Sequence, residues 1–176
     1  RESRGFQQVT CEGSAAMFGD EPLQIKKKFP SVTVAVDRDR VEGCSFLANP
    51  EEARRGLSAR KCWNPNFPKA DIIVLDDAYQ YRRLKADLDI VLINYNRPVT
   101  GDRLLPIGRL RDLPQRIDDA HILIVTKCPS YLDDSGREEF ARTLGWKEFD
   151  PSTCRGINAQ GHEQTLLFST IKYGEC

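Results

Sequence analysis

Ile72-Ile73-Val74-Leu75-Asp76-Asp77-Ala78-Tyr79-Gln80-Tyr81 is the stretch whose reading decides the fold. An apolar run of strand length ends in two adjacent carboxylates and passes into a polar, aromatic turn. In α/β proteins ligands bind at the carboxyl ends of parallel strands, so acids at such an end point to a site. Paired Asp residues there also suit Mg2+, a hard cation that takes oxygen ligands and shares them with phosphates. A strand that simply ends in a solvated acidic turn carries the same letters, so the motif gains meaning only from its company.

Five β-rich runs can be read: Ser31–Val36, Asp71–Leu75, Leu88–Ile93, His121–Val125 and Leu166–Ile171. Several are near-continuous and apolar without alternation, the pattern of strands covered on both faces in a parallel sheet. Helical signals fall between them. Asp20-Glu21-Pro22, followed by Leu23, Ile25 and Phe29, predicts a capped helix start with Pro in its first turn. Ser135-Gly136-Arg137-Glu138 fits a capping box, with Phe140, Leu144 and Trp146 as an inner face. Leu47–Arg60 reads as a further helix around Asn49-Pro50-Glu51-Glu52. Residues 94–114 have little periodicity and many Arg, Pro and Gly residues, and an irregular segment of that length is usually functional. The expectation is one α/β domain over 1–176, a three-layer sandwich around a mostly parallel sheet.

Composition narrows the function classes. The 26 basic and 26 acidic residues cancel, which gives no electrostatic case for nucleic acid. Apolar runs are short, as in Ile122-Leu123-Ile124-Val125, so no transmembrane span or signal peptide is expected; peripheral membrane contact stays open. Six cysteines, at 11, 44, 62, 128, 154 and 176, form no CxxC pair and read as structural, reduced thiols. The first residue is Arg1 and the only methionine is Met17, so the expectation is a fragment or a processed product.

Four clusters stand where chemistry is expected. Gly19-Asp20-Glu21-Pro22 puts an acid at a helix N-terminus, where an ordinary N-cap is the plain alternative. Leu104-Leu105-Pro106-Ile107-Gly108-Arg109-Leu110-Arg111-Asp112 places arginines on an irregular loop; their forks match phosphate oxygens, against a surface ion pair as the default. Val125-Thr126-Lys127-Cys128-Pro129 ends a strand with a Thr-Lys pair. Ser3-Arg4-Gly5-Phe6 sets a cation beside a flexible turn.

Taken in order, SRGF (3–6), GDEPLQIKKKFP (19–30), VAVDRDR (34–40), IIVLDDAYQYRRL (72–84), LLPIGRLRD (104–112), VTKCP (125–129) and the closing FSTIKYG (168–174) resemble the tetraacyldisaccharide 4'-kinases of lipid A biosynthesis, particularly a Bacteroidetes-like branch. The resemblance implies a P-loop-type kinase that moves the γ-phosphate of ATP onto the 4'-hydroxyl of an acylated glucosamine disaccharide 1-phosphate, giving lipid IVA. By position, Asp20 matches the family's catalytic carboxylate, and Asp76 and Asp77 match its Walker-B-type acids, which organise Mg2+. Arg111 matches an arginine near the transferred phosphoryl group. Lys127 and Arg4 are candidates for nucleotide contact and phosphate binding. Such roles agree with the chemistry, because phosphoryl transfer depends on positioning, metal and positive charge. The family resemblance also implies a peripheral place at the cytoplasmic face of the bacterial inner membrane, through parts outside this chain.

Three departures from the family pattern stand out. No GxxxxGK[ST] motif occurs, which makes the P-loop fold incomplete. An FPDHH-like motif is missing, and neither His121 nor His162 lies in such a context. Tyr81 stands where the family usually has His. Two hypotheses follow: the central part of a lipid A 4'-kinase, inactive alone, or a non-catalytic α/β binding module that lost its phosphate loop.

Overall fold

Residues 5–55, 62–63, 66–99 and 114–172 are described by the computed structural model. The chain divides into two units, Arg1–Asp76 and Asp77–Cys176.

In the first unit, Phe6–Gln8 forms β1, the centre of a three-stranded sheet. Ala35–Val36 (β2) pairs with it antiparallel and Cys62–Trp63 (β3) parallel. The strand expected over Ser31–Val36 thus narrows to its last two residues, although Val9 N–H still donates to the Val34 carbonyl at 2.8 Å. Helix α1 (Ala15–Phe18) runs through Gly19 into α2 (Asp20–Lys28), as the sequence predicts for the second of these. Gly19 sits at φ 92 and ψ 157. That region is essentially open only to glycine, so the bend that aims α2 is written into one residue.

The helix expected over Leu47–Arg60 is instead two helices, α3 (Arg40–Ala48) and α4 (Pro50–Ala53). Pro50 cannot donate a backbone hydrogen bond and restricts the residue before it, which stops α3 at Asn49 and lets a new helix start. Residues 56–60 of the expected helix lie outside the described set. Asp39, whose side chain accepts from Val41 N–H at 3.0 Å, caps α3. Two small cores hold this unit: Phe6, Phe46, Ala53 and Phe67, and separately Val9, Phe18, Leu23 and Val36. Phe6 is the pivot of the first, with ring centroids 5.7 Å from Phe46 and 5.2 Å from Phe67. Burying such a ring contributes about 1.5–3 kcal/mol.

The second unit is built on a five-stranded sheet in the order β4-β5-β8-β7-β6. Its strands are β4 (Ile90–Asn94), β5 (Ile122–Thr126), β6 (Glu148–Asp150), β7 (Arg155–Ile157) and β8 (Glu163–Phe168). β4, β5 and β8 run parallel, whereas β7 and β6 add antiparallel. The sheet is therefore mixed rather than mostly parallel. The antiparallel edge follows from short, polar strands joined by tight turns, which need no crossover helix. Gly156 permits the closest pairing, since a Cβ there would run into the Glu148 carbonyl oxygen.

One core joins this sheet to helix α5 (Asp134–Thr143): Ile93, Leu123, Val125 and Leu166 meet Phe140, Ala141, Leu144 and Trp146. The capping box expected at Ser135 is displaced. Asp133 is the N-cap and accepts from Gly136 N–H at 2.8 Å, so Ser135 already lies inside the helix. A 3-10 helix, Pro114–Asp119, adds Ile117 to the same core.

The decisive apolar run departs most from expectation. Residues 71–75 form no strand, and Ile72 and Val74 are 83% and 87% exposed. Ile73 and Leu75 are half-buried, so the side chains alternate as in an extended chain. Extended backbone becomes a strand only with a ladder partner, and none pairs with it among the described residues.

Candidate functional site

Asp20 is the first residue of α2 and is exposed. The N-cap position belongs to Gly19, so the plain N-cap explanation of Asp20 does not hold. A carboxylate here still benefits from the positive end of the helix.

VAVDRDR, farther along the same unit, runs from β2 into the start of α3. Asp39 N–H donates to Asp37 Oδ1 at 3.1 Å, and Asp37 Oδ2 is buried with no hydrogen-bond partner. Burial pushes the Asp37 carboxyl above its ordinary range, opposed by the Asp39 backbone hydrogen bond. Asp37 was not singled out from the sequence. The nearest signal was the resemblance of the VDRDR motif itself.

In the second unit, Asp77 opens the acidic turn with φ 47. Gln80 Nε2 donates to the Asp77 carbonyl at 3.1 Å, and Tyr81 N–H donates to the Ala78 carbonyl at 2.8 Å. Tyr79 leaves this turn for the core. Its hydroxyl donates to the Arg116 carbonyl, while Arg116 Nη2 donates to the Tyr79 carbonyl at 3.3 Å. The guanidinium carbon lies 4.9 Å from the centroid of the Tyr79 ring. Burial raises the Tyr79 hydroxyl pKa, and the neighbouring Arg116 charge works against the rise. This pairing spans 37 residues and left no local mark in the sequence.

Lys127 follows β5 directly, at the carboxyl end of the middle parallel strand, with φ 60. Its flanks are pinned: Thr126 Oγ1 donates to the Ile93 carbonyl at 3.1 Å, and Cys128 N–H donates to the Ser169 carbonyl at 3.0 Å. Lys127 itself stays exposed. Among the described residues only Asp77, Lys127 and Cys154 combine a side chain other than glycine with positive φ. Such backbone costs about 1–3 kcal/mol and persists where its surroundings enforce it, often at functional positions. Two of the three are residues the sequence had singled out.

Asp20 and Asp76 thus belong to the first unit, and Asp77 and Lys127 to the second. Arg4 and Arg111 lie outside the described residues. His121 Nδ1 accepts from Asp89 N–H at 3.0 Å, and the His162 ring nitrogen Nδ1 lies 3.4 Å from the Asp118 carbonyl oxygen. Cys11, Cys44, Cys128 and Cys154 are free thiols. No group of three or more His, Cys, Asp or Glu side chains is arranged around a metal position among the described residues. Mg2+ does not require one, because it keeps several waters and uses one or two carboxylates plus phosphate oxygens. The exposed, oxygen-only pair Asp76 and Asp77 fits that donor set. No helix among the described residues is long and apolar enough to cross a membrane.

Fold and residues together define an α/β protein that carries acids at a helix start and on a turn, and a lysine at a parallel strand's end. The chain belongs to the tetraacyldisaccharide-1-P 4'-kinase family, whose model matches residues 1–170. It is 36% identical to the tetraacyldisaccharide 4'-kinase of Phocaeicola vulgatus, over 99% of this chain and 40% of that protein. It is 44% identical to the Porphyromonas gingivalis protein of the same name, over 98% of this chain and 43% of the relative. For Bacteroides fragilis the identity is 42%, with 99% and 39% covered. The chain spans about two fifths of the length of these curated relatives. No solved structure matches it.

Proposed function

We propose that the full-length protein containing this chain transfers the γ-phosphate of ATP to the 4'-hydroxyl of an acylated glucosamine disaccharide 1-phosphate, and that residues 1–176 form one domain of it. The observation that carries this reading is the family match across residues 1–170, which includes every motif the sequence had singled out up to Lys127. Asp20 orients or deprotonates the attacking hydroxyl. Its place at the start of α2, free of the N-cap duty that Gly19 performs, supports that role. Asp76 and Asp77 would hold Mg2+, which would neutralise charge on the phosphate oxygens. Lys127 meets the nucleotide at the carboxyl end of β5, the edge where α/β sheets bind ligands. Arg111 and Arg4 supply positive charge to the transferred and bound phosphates. The architecture of the whole is a three-layer, P-loop-type sandwich, seated peripherally on the cytoplasmic face of the inner membrane.

The test is transfer of label from γ-labelled ATP by the full-length protein, with the product's phosphate position assigned by NMR. Mg2+-dependent labelling of the 4'-hydroxyl is the expected result. Label released only as inorganic phosphate, or placed on another hydroxyl, would overturn the assignment.

A further inference from the structure

The acidic turn has an unusual mooring. Asp77 adopts φ 47, its carboxylate side is exposed, and short-range hydrogen bonds from Gln80 Nε2 and Tyr81 N–H help to close its turn. A strained, solvated turn drifts unless something distant holds it. Tyr79, two residues on, supplies one such long-range hold through a bond in each direction with Arg116 and a ring face under the guanidinium.

Arg116 is itself anchored deep in the unit. The 3-10 helix that carries it is tied to the β7–β8 hairpin by a buried amide pair. Gln164 Nε2 donates to the Ile117 carbonyl at 2.9 Å, and Asn158 Nδ2 donates to the Asp118 carbonyl at 3.0 Å and to Gln164 Oε1 at 2.9 Å. Asn158 is 0% exposed and Gln164 3%. Buried amides with all their bonds made are rigid, because each lost bond strands a desolvated group. Polar contacts therefore run from the hairpin through the 3-10 helix to Tyr79, which stands two residues along the chain from Asp77.

We propose that Tyr79 and Arg116 are positioning residues whose clasp sets where the Asp77 carboxylate meets a metal-bound phosphate. The inference rests on the reading of Asp77 as a Mg2+ ligand given above. It goes beyond that reading by assigning work to a tyrosine and an arginine that touch neither metal nor nucleotide. Misplacing a ligand by a fraction of an ångström weakens a metal with strict octahedral demands, so the effect should appear in Mg2+ dependence.

The experiment compares Tyr79→Phe, Arg116→Lys and Asp77→Asn in the full-length kinase. It measures kcat, the Mg2+ concentration for half-maximal rate, KM for the disaccharide and Tm. Tyr79→Phe keeps the ring and removes one hydroxyl, which leaves the fold intact. It should raise the half-maximal Mg2+ concentration and lower kcat by ~2–10-fold, the range of one net hydrogen bond, with disaccharide KM unchanged. Arg116→Lys should move the same two quantities in the same direction, since lysine loses the fork and the flat face. If Asp77→Asn shifts the Mg2+ dependence but Tyr79→Phe changes only Tm, the clasp is merely structural and the proposal fails while the reading of Asp77 survives. If Asp77→Asn leaves the Mg2+ dependence untouched, that reading falls and the positioning proposal falls with it.

Discussion

Replacing Asp20 by Asn in the full-length kinase separates a structural carboxylate from a catalytic one. On the structural side the loss is small. Gly19 holds the N-cap position, so no cap bond is lost, and the side chain is exposed, so no burial changes. What remains is one negative charge in the first turn of a 9-residue helix, where Glu21 still stands beside it. A charge at a helix N-terminus contributes about 0.3–1 kcal/mol, which for a domain of this size is a Tm decrease of roughly 1–4 °C. On the catalytic side an amide accepts no proton near neutral pH, and general-base effects begin at ~100-fold. A hundredfold loss is about 2.7 kcal/mol of transition-state stabilisation, well above the structural figure. The assay is single-turnover transfer from γ-labelled ATP with a parallel thermal melt. The expected outcome is kcat down by at least ~100-fold with Tm almost unmoved. Near-normal turnover would refute the catalytic assignment, and so would a rate loss that merely tracks unfolding.

Three further outcomes can be checked separately. The chain 1–176 on its own should bind Mg-ATP no tighter than ~0.1–1 mM by calorimetry, about 4–5.5 kcal/mol, because no glycine-rich phosphate loop occurs in it; sub-micromolar binding would mean the nucleotide site has been misread. Asn158→Ala removes a fully buried side chain that donates to the Asp118 carbonyl and Gln164 Oε1 and accepts from Gln160 and His162 N–H. It should destabilise the chain by roughly 2–4 kcal/mol in urea titrations, and a change under ~0.5 kcal/mol would show that water replaces those bonds. Asp37 gives a pH signature: burial raises its carboxyl above the ordinary 3.8, so the folded protein holds this proton more tightly than the unfolded chain. Its contribution is therefore fully present below the ordinary value and is lost as pH rises through the folded one. Asp37→Asn should gain Tm relative to the parent as pH climbs from that value toward neutrality, whereas a pH-independent difference would contradict the burial argument.

What the sequence by itself determined is local. Gly19 before Asp20 announces the bend and the start of α2, because only glycine accepts that backbone and the apolar spacing after it has a helical period. The apolar runs near 90, 122 and 166 became β4, β5 and β8 within a few residues, since their side chains cannot stay in water and their composition favours extended chain. Lys127 was legible as the residue at that strand's end for the same reason, as the first charge after such a run. Tertiary structure alone decided the rest. Ile72–Leu75 carries the same apolar signal as β5, but a strand exists only where another backbone completes its hydrogen bonds, and partner identity is not a local property. The short polar strands β6 and β7 have no hydrophobic period to announce them and exist because β8 templates their pairing. The clasp of Tyr79 and Arg116 joins residues 37 positions apart, and the buried Asn158–Gln164 pair is defined by carbonyls 40 or more residues away. Side chains of that kind look like surface polar residues in the sequence. They become structural only when folding removes water and leaves them no other partners.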